Sequence, residues 1–189
     1  LVTGASGGIG GAIAKALAAQ GARIALSGTR VEALEKVKAE LGGDHVITPC
    51  NLSDPAAVDT LVGQAESALG GRLDILVANA GITKDNLFVQ LRDEDWDTVI
   101  NINLTATFRL SRAAMKTMMR RRFGRIIGIT SVVGVTGNPG QGNYTAAKAG
   151  MINLVRTMAD EWGPYGIRVN AAMPGSAATP RLTLNEAGQ

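Results

Sequence analysis

Short apolar, β-branched segments alternate along the chain with stretches whose apolar residues recur at helical spacing. Most of the short segments are nearly continuous hydrophobic runs, which is typical of strands buried on both faces of a parallel sheet. They comprise residues 1–3, 23–27, 46–50, 73–77, 125–130 and 167–171. Strand, helix and parallel strand in repeated succession give right-handed crossovers. The pattern therefore predicts an α/β fold with a doubly wound parallel sheet of the Rossmann type.

Helix boundaries support this reading. The first helix is expected from about Gly10 to Gln20, because Gly21 is a good C-terminal cap. The third begins at residues 53–55, where a capping side chain precedes Pro55. Helices two, four and five are expected at 31–41, from 93 onward and at 144–162. The residues expected to face the core are Val31, Leu34, Val37 and Leu41 in the second helix, and Val58, Leu61, Val62, Ala65 and Leu69 in the third.

The 189 residues contain no repeat of fixed period and no low-complexity linker, so we predict a single dinucleotide-binding domain over residues 1–189. The first strand is only about three residues long, and residues 182–189 follow the sixth strand without a closing strand. We therefore expect the domain to be incomplete at both ends.

Composition narrows the class further. With 46% hydrophobic residues and a net charge of +3, the chain is not disordered, and the charge excess is too small to indicate a nucleic-acid partner. The single cysteine, Cys50, excludes an internal disulfide and favours a reducing compartment. No apolar run approaches the roughly 20 residues of a membrane span, and we see no secretory leader. We expect a cytoplasmic protein with no membrane contact and, since His45 is isolated, no metal site.

A glycine-rich turn, residues 3–10, follows the first strand and opens the first helix. Glycines let the backbone approach a pyrophosphate, which then faces free N–H groups at the helix N-terminus. The spacing is G-x-x-x-G-x-G, and a plain glycine-rich βα turn is the alternative interpretation. We predict that this turn binds a dinucleotide through Gly4, Ser6, Gly8, Ile9 and Gly10.

The end of the second strand bears on which dinucleotide binds. It is followed by Arg30, with no acidic residue before Glu32, whereas NAD sites carry an acid for the ribose 2′-hydroxyl. A guanidinium can bind a 2′-phosphate instead, so NADPH is favoured over NADH. Arg30 could also be an ordinary surface residue. Asn51, after the third strand, is placed to contact the adenine or to cap the turn before Pro55.

Tyr144 and Lys148 are four residues apart in the fifth helix and should share a face. A phenol has a pKa near 10, and a neighbouring ammonium stabilises the phenolate and lowers that value. Ser131 ends the fifth strand, where open sheets place their ligands, and its hydroxyl could bind a substrate carbonyl. An exposed polar pair and a loop serine are the alternatives.

These residues together resemble one family in order and spacing. Residues 3–10, Asn79-Ala80-Gly81, Asn103, Ser131, Tyr144 and Lys148 are similar to the motifs of the short-chain dehydrogenase/reductases. Within that family, segments 81–87 and 137–144 most resemble those of the 3-oxoacyl-acyl-carrier-protein reductases. The resemblance covers nearly the whole chain.

The resemblance implies roles for individual residues. Tyr144 would be the general acid, Lys148 would lower its pKa and hold the nicotinamide ribose, and Ser131 would polarise the keto oxygen. Asn103 would anchor a water that relays protons to Lys148.

The resemblance also implies cofactor contacts. Asn79, Ala80 and Gly81 would lie beside the cofactor, and Pro174, Gly175 and Thr179 would hold the nicotinamide. Gly7 takes a position that is often arginine in NADPH-preferring members, which leaves Arg30 to carry that preference. A homotetramer is also implied, and so are a further helix and a final strand that we expect this chain to lack.

A basic cluster of residues 120–122, with Arg125 and Lys116, lies at the end of a methionine-containing helix. Cations at a helix C-terminus are the simplest explanation. The resemblance implies instead that Arg122 docks acyl-carrier protein, although Tyr165 stands where a second docking arginine is expected. Met115, Met118 and Met119, with Phe108 and Leu110, could form an acyl site, but helical spacing favours packing.

Together with the resemblance, the sequence thus implies an NADPH-dependent reductase, and the resemblance implies that it converts a 3-oxoacyl thioester to the 3-hydroxyacyl product in fatty-acid biosynthesis. Two alternatives remain. One is a related reductase acting on acetoacetyl-CoA, a sugar or another alcohol. The other is a catalytically silent nucleotide-binding relative.

Overall fold

A computed structural model describes residues 1–175 as a six-stranded parallel sheet covered by helices on both faces. The strands are β1 (Val2–Thr3), β2 (Ala25–Ser27), β3 (Val46–Ile47), β4 (Ile75–Ala78), β5 (Gly124–Ile129) and β6 (Ile167–Ala172). The helices are α1 (Gly8–Ala19), α2 (Val31–Leu41), α3 (Pro55–Ala68), α4 (Asp93–Ile100), α5 (Ala106–Arg121), α6 (Val133–Thr136) and α7 (Gly142–Trp162).

The strand order is β3-β2-β1-β4-β5-β6, and every neighbouring pair is parallel. The chain builds outward from β1 to β3 and then returns to place β4 on the other side of β1. This reversal confirms the predicted doubly wound fold, and it places a ligand crevice at the carboxyl ends of β1 and β4.

Each face of the sheet has its own buried cluster. On one face, α1 and α2 pack on β1 and β2 through residues such as Leu26 and Leu34. On the other, α3, α5 and α7 contribute Leu61, Leu110 and Met151 to a larger cluster. Met118 is also fully buried, and Met115 and Met119 pack against the same cluster. These methionines therefore belong to the core, as their helical spacing indicated. Phe108 is the exception, because 41% of it is exposed and the Arg112 guanidinium lies 4.8 Å from its ring centroid.

Several predicted boundaries are wrong. Helix α1 begins at Gly8 rather than Gly10, because Gly7 already has the extended backbone of an N-cap. Val31 is 41% exposed and not part of the core, since it is the first residue of α2. Strand β3 is two residues long, not five, at the sheet edge. As predicted, Asp54 caps α3 by accepting a hydrogen bond from the N–H of Ala56 at 2.9 Å.

One irregular segment was not predicted. Residues Asn101–Thr105 form a π-helical turn that joins α4 to α5 in one continuous helical run. The N–H of Ala106 donates to the carbonyl of Asn101, five residues back. Short 3₁₀ turns at Phe88–Gln90 and Gly163–Tyr165, and α6, were also missed, because such short elements leave little periodicity. Across residues 1–175, no helix is both long and apolar enough to cross a membrane.

Candidate active site

A cleft of about 760 Å³ opens at the carboxyl ends of β1, β2, β4 and β5, at the point where the strand order reverses. This volume lies within the range usual for ligand sites, about 300–1,000 Å³. Most of the predicted site residues line it: Gly4, Ser6, Gly8, Ile9, Gly10, Arg30, Asn51, Asn79, Ala80, Gly81, Ser131, Tyr144, Lys148, Pro174 and Gly175. Asn103 lies beside the cleft against Gly81, and Thr179 lies outside the described residues.

The glycine-rich turn forms one wall of the cleft. Gly4 has φ +64°, a left-handed conformation that glycine adopts at no steric cost. Gly10 packs so closely that a Cβ there would lie 2.2 Å from the carbonyl oxygen of Gly4. Within residues 1–175, no side chain makes a capping hydrogen bond at the N-terminus of α1, and the first turn of this helix contains no acidic residue. Its first-turn N–H groups and positive helix end suit an anion such as a pyrophosphate.

A buried threonine joins this turn to the end of β4. The Thr3 hydroxyl oxygen accepts hydrogen bonds from the N–H groups of Asn79 and Ala80, each at 3.0 Å. The Asn79 side-chain amide donates in return to the carbonyl of Thr3 at 2.9 Å. The Thr3 and Asn79 side chains therefore join the two strand ends that border the switch point.

Arg30 and Asn51 line the cleft beyond the ends of β2 and β3. Arg30 is exposed and is the N-cap residue of α2. The amide oxygen of Asn51 accepts hydrogen bonds from the N–H of Ser53 at 3.1 Å and its hydroxyl at 2.7 Å. Asn51 therefore caps the turn before α3, and an adenine contact would fall to its NH₂ group.

Tyr144 and Lys148 share one face of α7, as predicted, because the Lys148 ammonium lies 5.5 Å from the centroid of the Tyr144 ring. Lys148 is only 2% exposed, and its Nζ donates to the carbonyl of Ile129 at 2.8 Å. Burial lowers the pKa of Lys148 from 10.5 to about 8. The lysine is therefore a desolvated cation next to a phenol at the floor of the cleft.

Asn103 is fully buried within the π-helical turn. Its amide oxygen accepts from the N–H of Ile82 at 2.8 Å, and its amide nitrogen donates to the carbonyl of the same residue at 2.8 Å. A Cβ at Gly81 would lie 2.7 Å from that amide oxygen and 3.5 Å from the Lys148 Nζ. The Asn103 side chain thus holds the Gly81–Ile82 backbone close to the lysine.

Ser131 lies just beyond β5, two residues after the carbonyl that holds Lys148. Its own carbonyl accepts from the N–H of Gly134 at 3.0 Å, which opens the α6 turn. The next residue, Val132, donates its N–H to the carbonyl of Pro174 at 3.3 Å. The Pro174–Gly175 segment is therefore attached beside Ser131 at the same mouth of the cleft.

The basic cluster lies at the amino-terminal ends of the strands, on the side of the sheet away from the cleft. Arg122 precedes β5, whereas Ser131 follows it, and a strand of this length separates its ends by about 20 Å. Arg122 is the C-cap of α5 with φ 52°, and its guanidinium donates to the carbonyl of Pro164 at 2.9 Å. Arg121 donates to the carbonyl of Leu73. Both arginines therefore interact with main-chain carbonyls near the end of α5.

Two groups that shape the site were missed. The carbonyl of Ile129 is a main-chain group, so no residue type marks it. Asn143 is fully buried and directly precedes Tyr144. Its position was the available signal, because an asparagine in the first turn of a helix usually bonds to backbone. Within residues 1–175, no group of three or more His, Cys, Asp or Glu side chains could hold a metal ion.

Comparison with known proteins gives the family. Residues 1–188 match the sequence model of a family described as short chain dehydrogenase. The chain belongs to the short-chain dehydrogenase family. This family consists of oxidoreductases that bind nicotinamide nucleotides, which fits the glycine-rich turn and the cleft. The chain is a family member close to the 3-oxoacyl-acyl-carrier-protein reductases, as its motifs predicted.

Individual relatives extend over most of the chain. Nodulation protein G of Rhizobium sp. (strain N33) is 59% identical over 185 residues, which are 96% of this chain and 75% of that protein. The 3-oxoacyl-(acyl-carrier-protein) reductase FabG of Rickettsia bellii (strain RML369-C) is 51% identical over 175 residues, covering 93% and 70%. The reductase of the same name from Escherichia coli (strain K12) is 46% identical over 179 residues, covering 95% and 73%.

Proposed function

We propose that this short-chain dehydrogenase catalyses the NADPH-dependent reduction of a 3-oxoacyl thioester, linked to acyl-carrier protein, in cytoplasmic fatty-acid biosynthesis. The observation that carries the proposal is the buried Lys148 ammonium beside the Tyr144 ring at the floor of the cleft. The relatives named 3-oxoacyl-(acyl-carrier-protein) reductase support the substrate class.

The residues around the cleft account for the chemistry. When bound, the reduced nicotinamide supplies a hydride to the substrate carbon. The Ser131 hydroxyl donates a hydrogen bond to the keto oxygen, and the Tyr144 hydroxyl donates a proton to that oxygen as negative charge develops. Lys148 stabilises the resulting phenolate, and a cation with a pKa of about 8 is mostly protonated at neutral pH.

Asn103 would take part in the return of a proton to the Tyr144–Lys148 pair. A water held at Asn103 would pass a proton to Lys148. Because both polar groups of the Asn103 side chain already bind Ile82, that water would use the second lone pair of the amide oxygen or the main-chain carbonyl.

The cofactor would lie along the cleft. First-turn N–H groups of α1 suit the pyrophosphate, and the Arg30 guanidinium suits a 2′-phosphate. Asn51 would contact the adenine. Residues 79–81, with Pro174, Gly175 and Thr179, would surround the nicotinamide, and Lys148 would hold its ribose.

We further propose that Arg122 contributes to docking of acyl-carrier protein and that the protein is a homotetramer. Arg122 is exposed on the side of the sheet away from the cleft. A carrier docked there would lie about 20 Å, the length of β5, from the mouth of the cleft in its own subunit.

The test follows NADPH absorbance with acetoacetyl-acyl-carrier protein and with acetoacetyl-CoA. We expect Tyr144→Phe to lower kcat by about 10²–10⁴-fold, the usual contribution of a general acid, with the Kd for NADPH unchanged. Tyr165→Phe is the matched control, because Tyr165 lies in the 3₁₀ turn before β6 and does not line the cleft. NADPH binding without NADPH oxidation, with these thioesters and with other carbonyl compounds, would support the silent relative instead.

A second candidate has a specific observation in its favour. The two relatives named nodulation protein G, at 59% and 53% identity, are more similar to the chain than the reductases cited above. The same site could therefore reduce a different carbonyl substrate, in nodulation. Turnover that is lost in Tyr144→Phe, but is absent with both acetoacetyl thioesters and present with another carbonyl compound, would favour this candidate.

A further inference from the structure

The first turn of α7, which carries Tyr144, has an unusual cap. Its N-cap residue, Gln141, makes no side-chain capping bond. The N–H of Tyr144 is a first-turn donor without an intrahelical acceptor. It donates instead to the side-chain oxygen of Asn143, at 2.7 Å. Asn143 therefore caps the helix from inside, at the residue directly before the tyrosine.

The other end of the Asn143 amide binds two further backbone segments. Its nitrogen donates to the carbonyl of Lys84 at 2.9 Å and to the carbonyl of Asp95 at 3.4 Å. Lys84 belongs to the segment that follows β4, and Asp95 to the first turn of α4. One fully buried amide thus joins three separate pieces of backbone.

Other contacts also join the start of α7 to the segment after β4, and they are more exposed than Asn143. The Gln141 amide donates to the Asp85 carboxylate at 3.0 Å, and the N–H of Asn86 donates to the carbonyl of Gly140 at 2.8 Å. The Gln141 contact is open to solvent because the Asp85 side chain is exposed, so water competes for it and it contributes little. A buried amide has no such alternative, so its bonds fix the geometry of the junction.

Asn143 also complements Asn103. Asn103 holds the backbone of Ile82, and Asn143 holds the carbonyl of Lys84 two residues later. Two buried asparagines therefore hold both ends of a three-residue segment, which lines the cleft at Ile82 and Thr83. Any movement of the first turn of α7 relative to this wall would move the Tyr144 hydroxyl relative to the substrate.

From these contacts we propose that Asn143 is a positioning residue, which fixes the Tyr144 hydroxyl against the cleft wall at Lys84 and the first turn of α4. The proposal rests on the proposed function of Tyr144 as the proton donor. A displacement of about 1 Å can cost about 100-fold in rate while binding is preserved. A residue that only stabilised the fold would not separate these two quantities.

The experiment compares Asn143→Ala and Asn143→Asp with Asn86→Ala. Asn86 is the matched control, because its amide also bonds backbone, to Gln90 and Leu87, but is exposed. For each folded protein we would measure kcat and KM for acetoacetyl-CoA, the Kd for NADPH, and the distance between the Tyr144 and Ser131 hydroxyls in a crystal structure. Asn143→Asp keeps an oxygen for the Tyr144 N–H but, when ionised, cannot donate to Lys84 or Asp95.

We expect Asn143→Ala to lower kcat by about 30-fold or more, with the Kd for NADPH changed by less than about threefold and the hydroxyl pair displaced. Asn143→Asp should fall between Asn143→Ala and wild type, and Asn86→Ala should match wild type. Equal loss of kcat and NADPH binding in Asn143→Ala, an unmoved hydroxyl pair, or failure of both Asn143 variants to fold would overturn the proposal. If wild type reduces no substrate, the proposed function fails, and the hydroxyl displacement alone decides this inference.

Discussion

The ammonium group of Lys148 donates a 2.8 Å hydrogen bond to the carbonyl of Ile129, the last residue of β5. The strand end that leads to Ser131 therefore also holds the cation beside Tyr144. In the folded protein the ammonium is removed from water and contacts the Ile129 carbonyl and the Tyr144 ring instead. Its positive charge therefore costs free energy in the folded state.

Lys148 should make stability depend on alkaline pH. Its pKa is about 8 in the folded protein and 10.5 ordinarily, so between these values the unfolded chain binds more protons. The free energy of unfolding should therefore rise with pH through this window, by about 3 kcal/mol at 1.36 kcal/mol per pH unit. Below pH 8 the full cost of burying the charge remains.

Lys148→Met should remove this rise, and Lys36→Met, at an exposed position of α2, should retain it. The measurement is denaturant unfolding of the three proteins from pH 7 to 10.5. Parallel curves for wild type and Lys148→Met would show that Lys148 does not titrate in this range.

Gly10→Ala should damage the glycine-rich turn, because the new Cβ would lie 2.2 Å from the carbonyl oxygen of Gly4 and 2.7 Å from the Asn79 amide nitrogen. We expect a loss of about 3 kcal/mol in unfolding free energy and weaker NADPH binding. At Gly11 the nearest atom would be 3.4 Å away, so Gly11→Ala should be neutral or stabilise α1 by up to about 1 kcal/mol. Thermal unfolding and NADPH titration check both, and similar effects of the two substitutions would contradict the steric argument.

Thr3→Val should destabilise the junction between the glycine-rich turn and β4. The substitution keeps the shape but leaves the N–H groups of Asn79 and Ala80 without their acceptor. We expect a cost of about 2–4 kcal/mol, whereas Thr3→Ser keeps the hydroxyl and should cost about 1 kcal/mol. Urea unfolding distinguishes them, and the reverse order of stability would reject a main role for the hydroxyl.

Arg30→Asp should reverse the cofactor preference. A carboxylate repels a 2′-phosphate, so the Kd for NADPH should rise by about tenfold or more while that for NADH changes little. Lys36→Asp makes nearly the same change in charge on the same helix but outside the cleft, and should leave both constants unchanged. Fluorescence titration with each nucleotide measures the ratio. A wild-type preference for NADH would contradict the assignment of Arg30.

Arg122→Glu tests the carrier-docking proposal. Repulsion of an acidic carrier should raise KM for acetoacetyl-acyl-carrier protein by about tenfold and leave KM for a small ketoester unchanged. Arg120→Glu makes the same change in net charge at another exposed arginine of the same cluster, and it is the control for a general charge effect. Steady-state kinetics with both substrates is the measurement, and equal effects on the two would reject docking at Arg122.

Much of the fold could be predicted because strand burial and helix caps are local signals. Asp54 before Pro55 caps α3 as its sequence indicates, and the spacing of Tyr144 and Lys148 places both on one face. The Ile129 carbonyl and the π-helical turn depend on tertiary packing, which overrides local preference, so no pattern of residue types indicates them. The exposure of Val31 also could not be predicted, because helical spacing does not show which terminal residues of a helix extend beyond the buried core.

The π-helical turn at Asn101–Thr105 also fixes how the continuous run from α4 to α5 can change in length. A π turn holds one residue more than an α-helical turn, because its hydrogen bonds run five residues back instead of four. Deletion of one residue here would therefore convert the turn to α-helix and leave Leu110, Ala114 and Met118 on the core face of α5. Asn103 would lose the position from which its side chain binds Ile82, so a single-codon loss would spare the core and alter the wall of the cleft.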